Sequence, residues 1–110
     1  MNVQDMKTML DHLVGHDILL TKREDGDIDK TIISLQSVSL VERGETIDGY
    51  VSPAALQLRG QGYVLQDNQK SPLPHQRYDI PLTDELNIRD DGDNMLLIET
   101  ERANYAIARQ

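Results

Sequence analysis

The chain contains no cysteine, no phenylalanine and no tryptophan, and it has only four tyrosines among 110 residues. Without cysteine it can form no disulfide, no thiolate metal site and no cysteine nucleophile. A small domain without disulfides suits a reducing compartment, so we expect the protein in the cytoplasm. Because aromatic side chains are scarce, aliphatic residues must supply most of the core, at about 1.5–3 kcal/mol for each fully buried side chain. We therefore expect a thin core, as in a small barrel or a helix packed on a curved sheet.

The sequence also lacks a long apolar run and a basic, apolar start. No stretch approaches the ~20 apolar residues of a membrane helix, and residues 1–5 do not resemble a secretory signal peptide. The formal net charge is −8, from 19 acids and 11 bases. This charge opposes direct binding to nucleic acid, where basic side chains must replace counterions, and attachment to anionic membranes. The length fits a single domain over residues 1–110.

An amphipathic helix is predicted at the N-terminus. Its apolar residues recur at steps of three and four, which places them on one helical face: Val3, Met6, Leu10 and Leu13. Asn2 can cap the first turn, and Gly15 suits the left-handed conformation that ends a helix. A helix of about 12 residues is unstable alone in water, so we expect its apolar face to pack on the rest of the chain.

Short alternating segments behind this helix indicate antiparallel strands. Residues 17–24 and 28–35 form one predicted pair, because Asp25-Gly26 between them is typical of a tight hairpin turn. The alternation changes phase near Gln36–Ser37, which indicates a β-bulge. Residues 55–65 alternate as another strand.

The remaining segments are assigned mainly by their glycines, prolines and charges. We expect a loop over 43–49, a short edge strand over 50–53, the longest loop over 66–77 and a second hairpin turn over 90–94. The predicted class is α+β: a short N-terminal helix followed by about five to seven antiparallel strands in a strongly bent sheet or a small, partly open β-barrel. The alternative is a helix across an open sheet with an added helical turn at 83–87.

The stretch from Arg59 to Tyr63 is the main candidate binding site. Gly60 and Gly62 would lie on one strand face and permit close approach of another element, such as the N-terminal helix, or of a ligand. Close packing or a barrel corner explains both glycines without a ligand, and the full dinucleotide fingerprint is missing. If the stretch binds, Arg59, Gln61 and Tyr63 on the opposite face offer a cation, an amide and an amphipathic ring.

The three histidines are candidates of another kind. His75 lies in the predicted 66–77 loop and is retained as a candidate binding residue. His12 and His16 are separated by Gly15, which makes a continuous helical pair doubtful, and a zinc site needs three or four convergent ligands. Histidines on the surface at a helix end explain both positions equally well. We predict no metal site, no cofactor and no catalytic residue.

These observations favour a non-enzymatic cytoplasmic binding or assembly module, whose partner is a copy of itself in a homo-oligomer or another protein. Direct contact with nucleic acid or membrane is not expected. A second hypothesis is a small-molecule or metal-dependent enzyme with a site near residues 66–77. A third is that the acid-rich turns imitate nucleic acid and bind a basic protein.

Overall fold

The computed structural model describes residues 1–42, 53–83, 85–92 and 95–110, and describes only the backbone of Glu42, Pro53 and Ala54. Within these ranges, helix α1 is followed by eight antiparallel strands. Their bounds are α1 Val3–Asp11, β1 Asp17–Glu24, β2 Asp27–Glu42, β3 Pro53–Gln66, β4 Gln69–Pro72, β5 Arg77–Pro81, β6 Asn87–Asp90, β7 Met95–Glu99 and β8 Asn104–Arg109.

The strands form one open sheet in the order β4-β3-β2-β1-β8-β7-β6. Strand β5 pairs with residues 55–59 of β3, on the same edge of β3 as β4, which pairs with residues 63–66. The predicted α+β class is confirmed, and the sheet does not close into a barrel. Eight strands exceed the expected five to seven, partly because β4 lies within the segment predicted as a loop. No helix among the described residues is long and apolar enough to cross a membrane.

Helix α1 begins as predicted and is shorter than predicted. The Asp5 backbone N–H donates to Asn2 Oδ1 at 2.7 Å, which caps the first turn. The regular helix ends at Asp11, and turns carry the chain to Gly15, whose φ is +93°. The Gly15 N–H donates to the Leu35 carbonyl at 2.8 Å and ties the helix end to β2.

One aliphatic core lies between α1 and the inner face of the bent sheet. The inner side chains of β1 and β2 alternate with outer ones, as the predicted strands require. The fully buried members are Met6, Leu10, Ile18, Leu20, Ile33, Leu35, Leu56, Leu58, Ile80, Leu96, Ile98 and Ile107. The helix stripe and the alternating runs therefore share a single interior.

Strands β2 and β3 approach each other closely beside an irregularity in their register. The register shifts between Leu35 and Ser37, which confirms the predicted bulge. A Cβ atom at Gly60 would overlap the Ser34 carbonyl oxygen, and one at Gly62 would overlap the Ile32 carbonyl oxygen. The element packed against these glycines is strand β2, and not the N-terminal helix.

The prediction of a long loop over 66–77 was wrong. Residues 69–72 form β4, a 3-10 turn follows at Pro74–Gln76, and β5 then pairs with residues 55–59. All four β4 side chains are exposed, so no apolar alternation marks the strand. Asp67 and Asn68 have φ of +50° and +64°, which is hairpin-turn geometry, and this dipeptide was the available signal.

Several predictions fall partly or wholly outside the described residues. The loop at 43–49 and residues 50–52 of the predicted edge strand lie there. Asp84 in the predicted turn at 83–87 does too, as do residues 93–94 of the second hairpin. On either side of that hairpin, β6 and β7 are paired as expected, with Asp90 opposite Leu96.

Replacing Gly62 with alanine is expected to lower the free energy of unfolding by about 1–3 kcal/mol, because the new methyl group must push against β2 backbone. Urea unfolding followed by circular dichroism measures this change. Gly26→Asn is the matched control: its turn has open space around Gly26, and asparagine accepts the left-handed conformation. A Gly62→Ala variant as stable as the parent would contradict the close approach of β2 and β3.

Candidate binding face

A row of apolar side chains crosses the outer face of the sheet. Cross-strand register places five residues side by side on β7, β8, β1, β2 and β3: Met95, Ala108, Leu19, Ile32 and Tyr63. We call this set the outer row. The first four are half-buried, whereas Tyr63 is 51% exposed. Helix α1 packs on the inner face, so among the described residues no helix covers the outer row.

The same face carries more positive than negative charge. We count the outward charged side chains on the described residues of β1, β4, β6, β7 and β8, on residues 27–34 of β2 and on residues 61–65 of β3. They are four cations and two acids: Arg23, Lys30, Lys70, Arg89, Asp17 and Glu99. The whole chain has a net charge of −8. The outer face is thus locally cationic on an acidic protein.

A shallow groove of about 430 Å³ lies on this face beside the outer row, across β1, β8, β7 and β6. Its floor is mainly apolar, formed by Thr21, Met95, Leu97 and Ala106, and its rim carries Arg23, Arg89, Glu99 and Asn104. The Arg89 Nη2 atom lies 3.1 Å from Glu99 Oε1, and the Arg89 side chain is 59% exposed. The groove therefore combines an apolar floor with two guanidinium groups.

The structure brings three of the four candidate residues onto one side of β3. Arg59, Gln61 and Tyr63 are all exposed and point outward from alternate positions. The Arg59 Nη2 atom donates to Gln57 Oε1 at 3.3 Å, and Lys70 Nζ lies 5.7 Å from the centroid of the Tyr63 ring. Such a cation–aromatic contact shields part of the ring. A binding role for these residues remains a prediction.

His75 lies apart, in the Pro74–Gln76 turn at the sheet edge. It is exposed and has a φ of +57°. The adjacent Leu73 N–H donates to the Gly62 carbonyl at 2.9 Å, which fixes the turn against β3. Within the described ranges, no three His, Cys, Asp or Glu side chains converge as metal ligands.

A second, polar cavity of about 160 Å³ opens at one end of the core. Lys22, Glu24, Asp79, Pro81, Thr100, Arg102 and Tyr105 line it. Lys22 Nζ lies 3.2 Å from Glu24 Oε2. Burial raises the pKa of the Tyr105 hydroxyl and, more strongly, that of Tyr78, where Tyr105 and the Asp29 carboxylate add to the effect. Both tyrosines are hence proton donors at neutral pH and not bases.

The groove was not anticipated from the sequence. One signal was available in residues 95–98, which are apolar without interruption. Such a run means that both faces of a strand carry apolar side chains. The two arginines could not be assigned to the groove from the sequence. Arg23 and Arg89 lie on one face only because of the register through β8 and β7.

Comparison with known proteins supplies a family and no activity. A family model described as "YmzB-like protein" matches residues 1–110. A protein of Bacillus subtilis (strain 168) named "Uncharacterized protein YmzB" is 33% identical over 84 residues, which cover 76% of this chain and 70% of that protein. No solved structure matches the chain.

The protein is expected to lose stability as the pH rises above about 10, the ordinary pKa of tyrosine in an unfolded chain. Because the folded state holds the Tyr78 proton more tightly, the stabilisation is complete below that pH and is lost as the pH rises. Urea midpoints between pH 8 and 11 should therefore fall less steeply for Tyr78→Phe than for the parent. Ile28→Thr, which alters an exposed side chain and no titratable group, should keep the parent slope, and equal slopes for all three proteins would contradict the burial effect.

Proposed function

The chain belongs to the YmzB-like protein family, and we propose that it is a non-enzymatic binding or assembly module that takes a protein partner on the outer face of its sheet. The outer row carries this proposal. An antiparallel sheet that faces water on one side normally alternates apolar and polar residues. Here apolar side chains are side by side on five neighbouring strands of the water-facing side.

A contiguous apolar strip with a polar surround is characteristic of protein interfaces. Tyr63 adds an amphipathic ring at one end of the strip, and Arg89, which lies opposite Leu97 on β6, adds a guanidinium near the Met95 end; both residue types are enriched at interfaces. The partner in this proposal is a second copy of the chain or another protein. The cytoplasm is the proposed compartment, and the absence of cysteine supports it.

The other two hypotheses have less support. Residues 69–72 form an exposed edge strand and a 3-10 turn follows at Pro74–Gln76. No residue of 66–77 lines the groove or the polar cavity. The polar cavity is lined by one of the two tyrosines, Tyr105, and its two carboxylates, Glu24 and Asp79, are each held in an ion pair with a neighbouring cation. A mimic of nucleic acid needs one continuous negative face, whereas the outer face carries mostly cations.

The double variant Ile32→Thr/Tyr63→Ser is expected to lower partner capture from native lysate by about fivefold or more, as for a loss of about 1 kcal/mol or more at an interface centre. The tagged parent and variants are compared by quantitative mass spectrometry at equal loading. Ile28→Thr is the matched control, because Ile28 is exposed on β2 but lies at the turn, outside the outer row.

Capture that is the same for the parent, the double variant and the control would contradict a binding role for the outer row. Thermal unfolding of each variant shows whether a lost partner reflects lost folding. Repeating the capture at high salt distinguishes the two kinds of contact. A partner held by apolar contacts is still captured, whereas one held by exposed charge pairs is lost because salt screens them.

Self-association is measured separately by size exclusion with light scattering. A homo-oligomer predicts a mass of at least twice the 12.5 kDa of one chain, rising with concentration if the exchange is fast. Ile32→Thr/Tyr63→Ser should shift that mass towards the monomer. A strict monomer at high concentration would contradict self-association and leave another protein as the partner.

A further inference from the structure

We propose that the groove beside the outer row binds an extended acidic segment of a different protein, with an aliphatic anchor between two carboxylates. This inference rests on the proposed function, since it names the chemistry of the partner. It is argued from the groove floor, the two arginines on its rim and their spacing.

The groove floor selects an apolar anchor. Leu97 and Ala106 are paired across β7 and β8, with Thr21 next to Ala106 on β1. Their side chains are half-buried and leave a concavity of about 430 Å³. A leucine or isoleucine side chain fills part of such a space and removes apolar surface from water on both partners.

The rim selects negative charge. Arg23 and Arg89 stand on opposite sides of the floor, on β1 and β6. A guanidinium group binds a carboxylate through two parallel hydrogen bonds, which a lysine cannot do. Glu99 already contacts Arg89, but this pair is exposed and is therefore weak enough for Arg89 to accept a second carboxylate. Asn104 on the rim can bond to the backbone of the segment.

The spacing of the arginines sets the pattern of the segment. Asn87, and not Arg89, lies opposite Arg23 across β8 and β7, so Arg89 is three strand-to-strand intervals and two residues away from Arg23. At about 4.8 Å per interval and about 3.3 Å per residue, their Cα atoms are about 16 Å apart. An extended segment advances about 3.3 Å per residue, so residues four apart are separated by about 13 Å, and the long arginine side chains can span the remaining ~3 Å. Residues i, i+2 and i+4 point to the same side of such a segment. The matching pattern is an acid, then any residue, an aliphatic residue, any residue and a second acid.

A different protein is the expected source of this segment. The chain's own sequence nowhere has an acid followed by an aliphatic residue at i+2 and a second acid at i+4. The acidic β1–β2 turn has Gly26 at the corresponding central place after Glu24. Nucleic acid is disfavoured by the net charge of −8, which repels a phosphate chain that extends beyond the groove.

The test is a titration of the ¹⁵N-labelled full chain by nuclear magnetic resonance. The probe is the acetylated and amidated peptide Gly-Asp-Ser-Leu-Ser-Asp-Gly, and the comparison peptides replace both aspartates with lysine or leucine with serine. The acidic probe should shift the amide signals of Leu97 and Ala106 more than those of β5. Each comparison peptide should bind several-fold more weakly.

Arg23→Gln and Arg89→Gln should each lower the affinity for the acidic probe by about threefold to tenfold, as expected for the loss of one charge-assisted contact. Raising the salt concentration should also lower the affinity of the parent protein for the probe. Arg109→Gln is the matched control, because Arg109 is also an exposed arginine but lies at the far end of β8, beside Ile18. The dispersion of each variant's spectrum confirms that it is folded.

The inference is overturned by the absence of a groove shift at millimolar probe, by equal shifts with the lysine peptide, or by larger shifts with a single-stranded oligonucleotide. Groove shifts that depend on protein concentration without any peptide would assign the groove to a second copy and also overturn it. If partner capture depends on the outer row while the acidic probe fails, only this inference falls and the proposed function stands. If capture is independent of the row, the proposed function fails whatever the probe does.

Discussion

The close approach of β2 and β3 is the constraint on which the rest of the structure depends. The β2 backbone lies so close to β3 that only glycine fits at positions 60 and 62. The bulge after Leu35 lets β2 change direction there. A bulge bends its strand, and side chains from both halves of β2 and from β3 belong to one buried cluster. A core built from leucine, isoleucine and methionine can then be closed by one short helix.

Features that depend on local sequence were predictable. The helix stripe, its Asn2 cap, the β1–β2 hairpin and the bulge each follow from residues close together in the chain. The 66–77 segment was missed because an edge strand exposed on both faces carries no apolar alternation. Hydrophobic periodicity reports burial, and a strand without a buried side chain produces no such signal.

The candidate site was predictable only in part, for a related reason. Arg59, Gln61 and Tyr63 were placed on one face correctly, because alternation within one strand determines this. The outer row and the groove depend on register between strands far apart in sequence, such as Arg23 opposite Asn104. That register is determined by the whole core, since a shift of one residue would turn every buried side chain outward.

The two edges of the sheet have a consequence for self-assembly of another kind. On one edge, Pro72 and Pro81 interrupt the backbone donors of β4 and β5, and the other edge is the four-residue β6. Neither of these two ends offers a long, regular template for hydrogen bonding by another sheet. Growth of the sheet into fibrils from β4, β5 or β6 is therefore disfavoured, although its outer face is apolar.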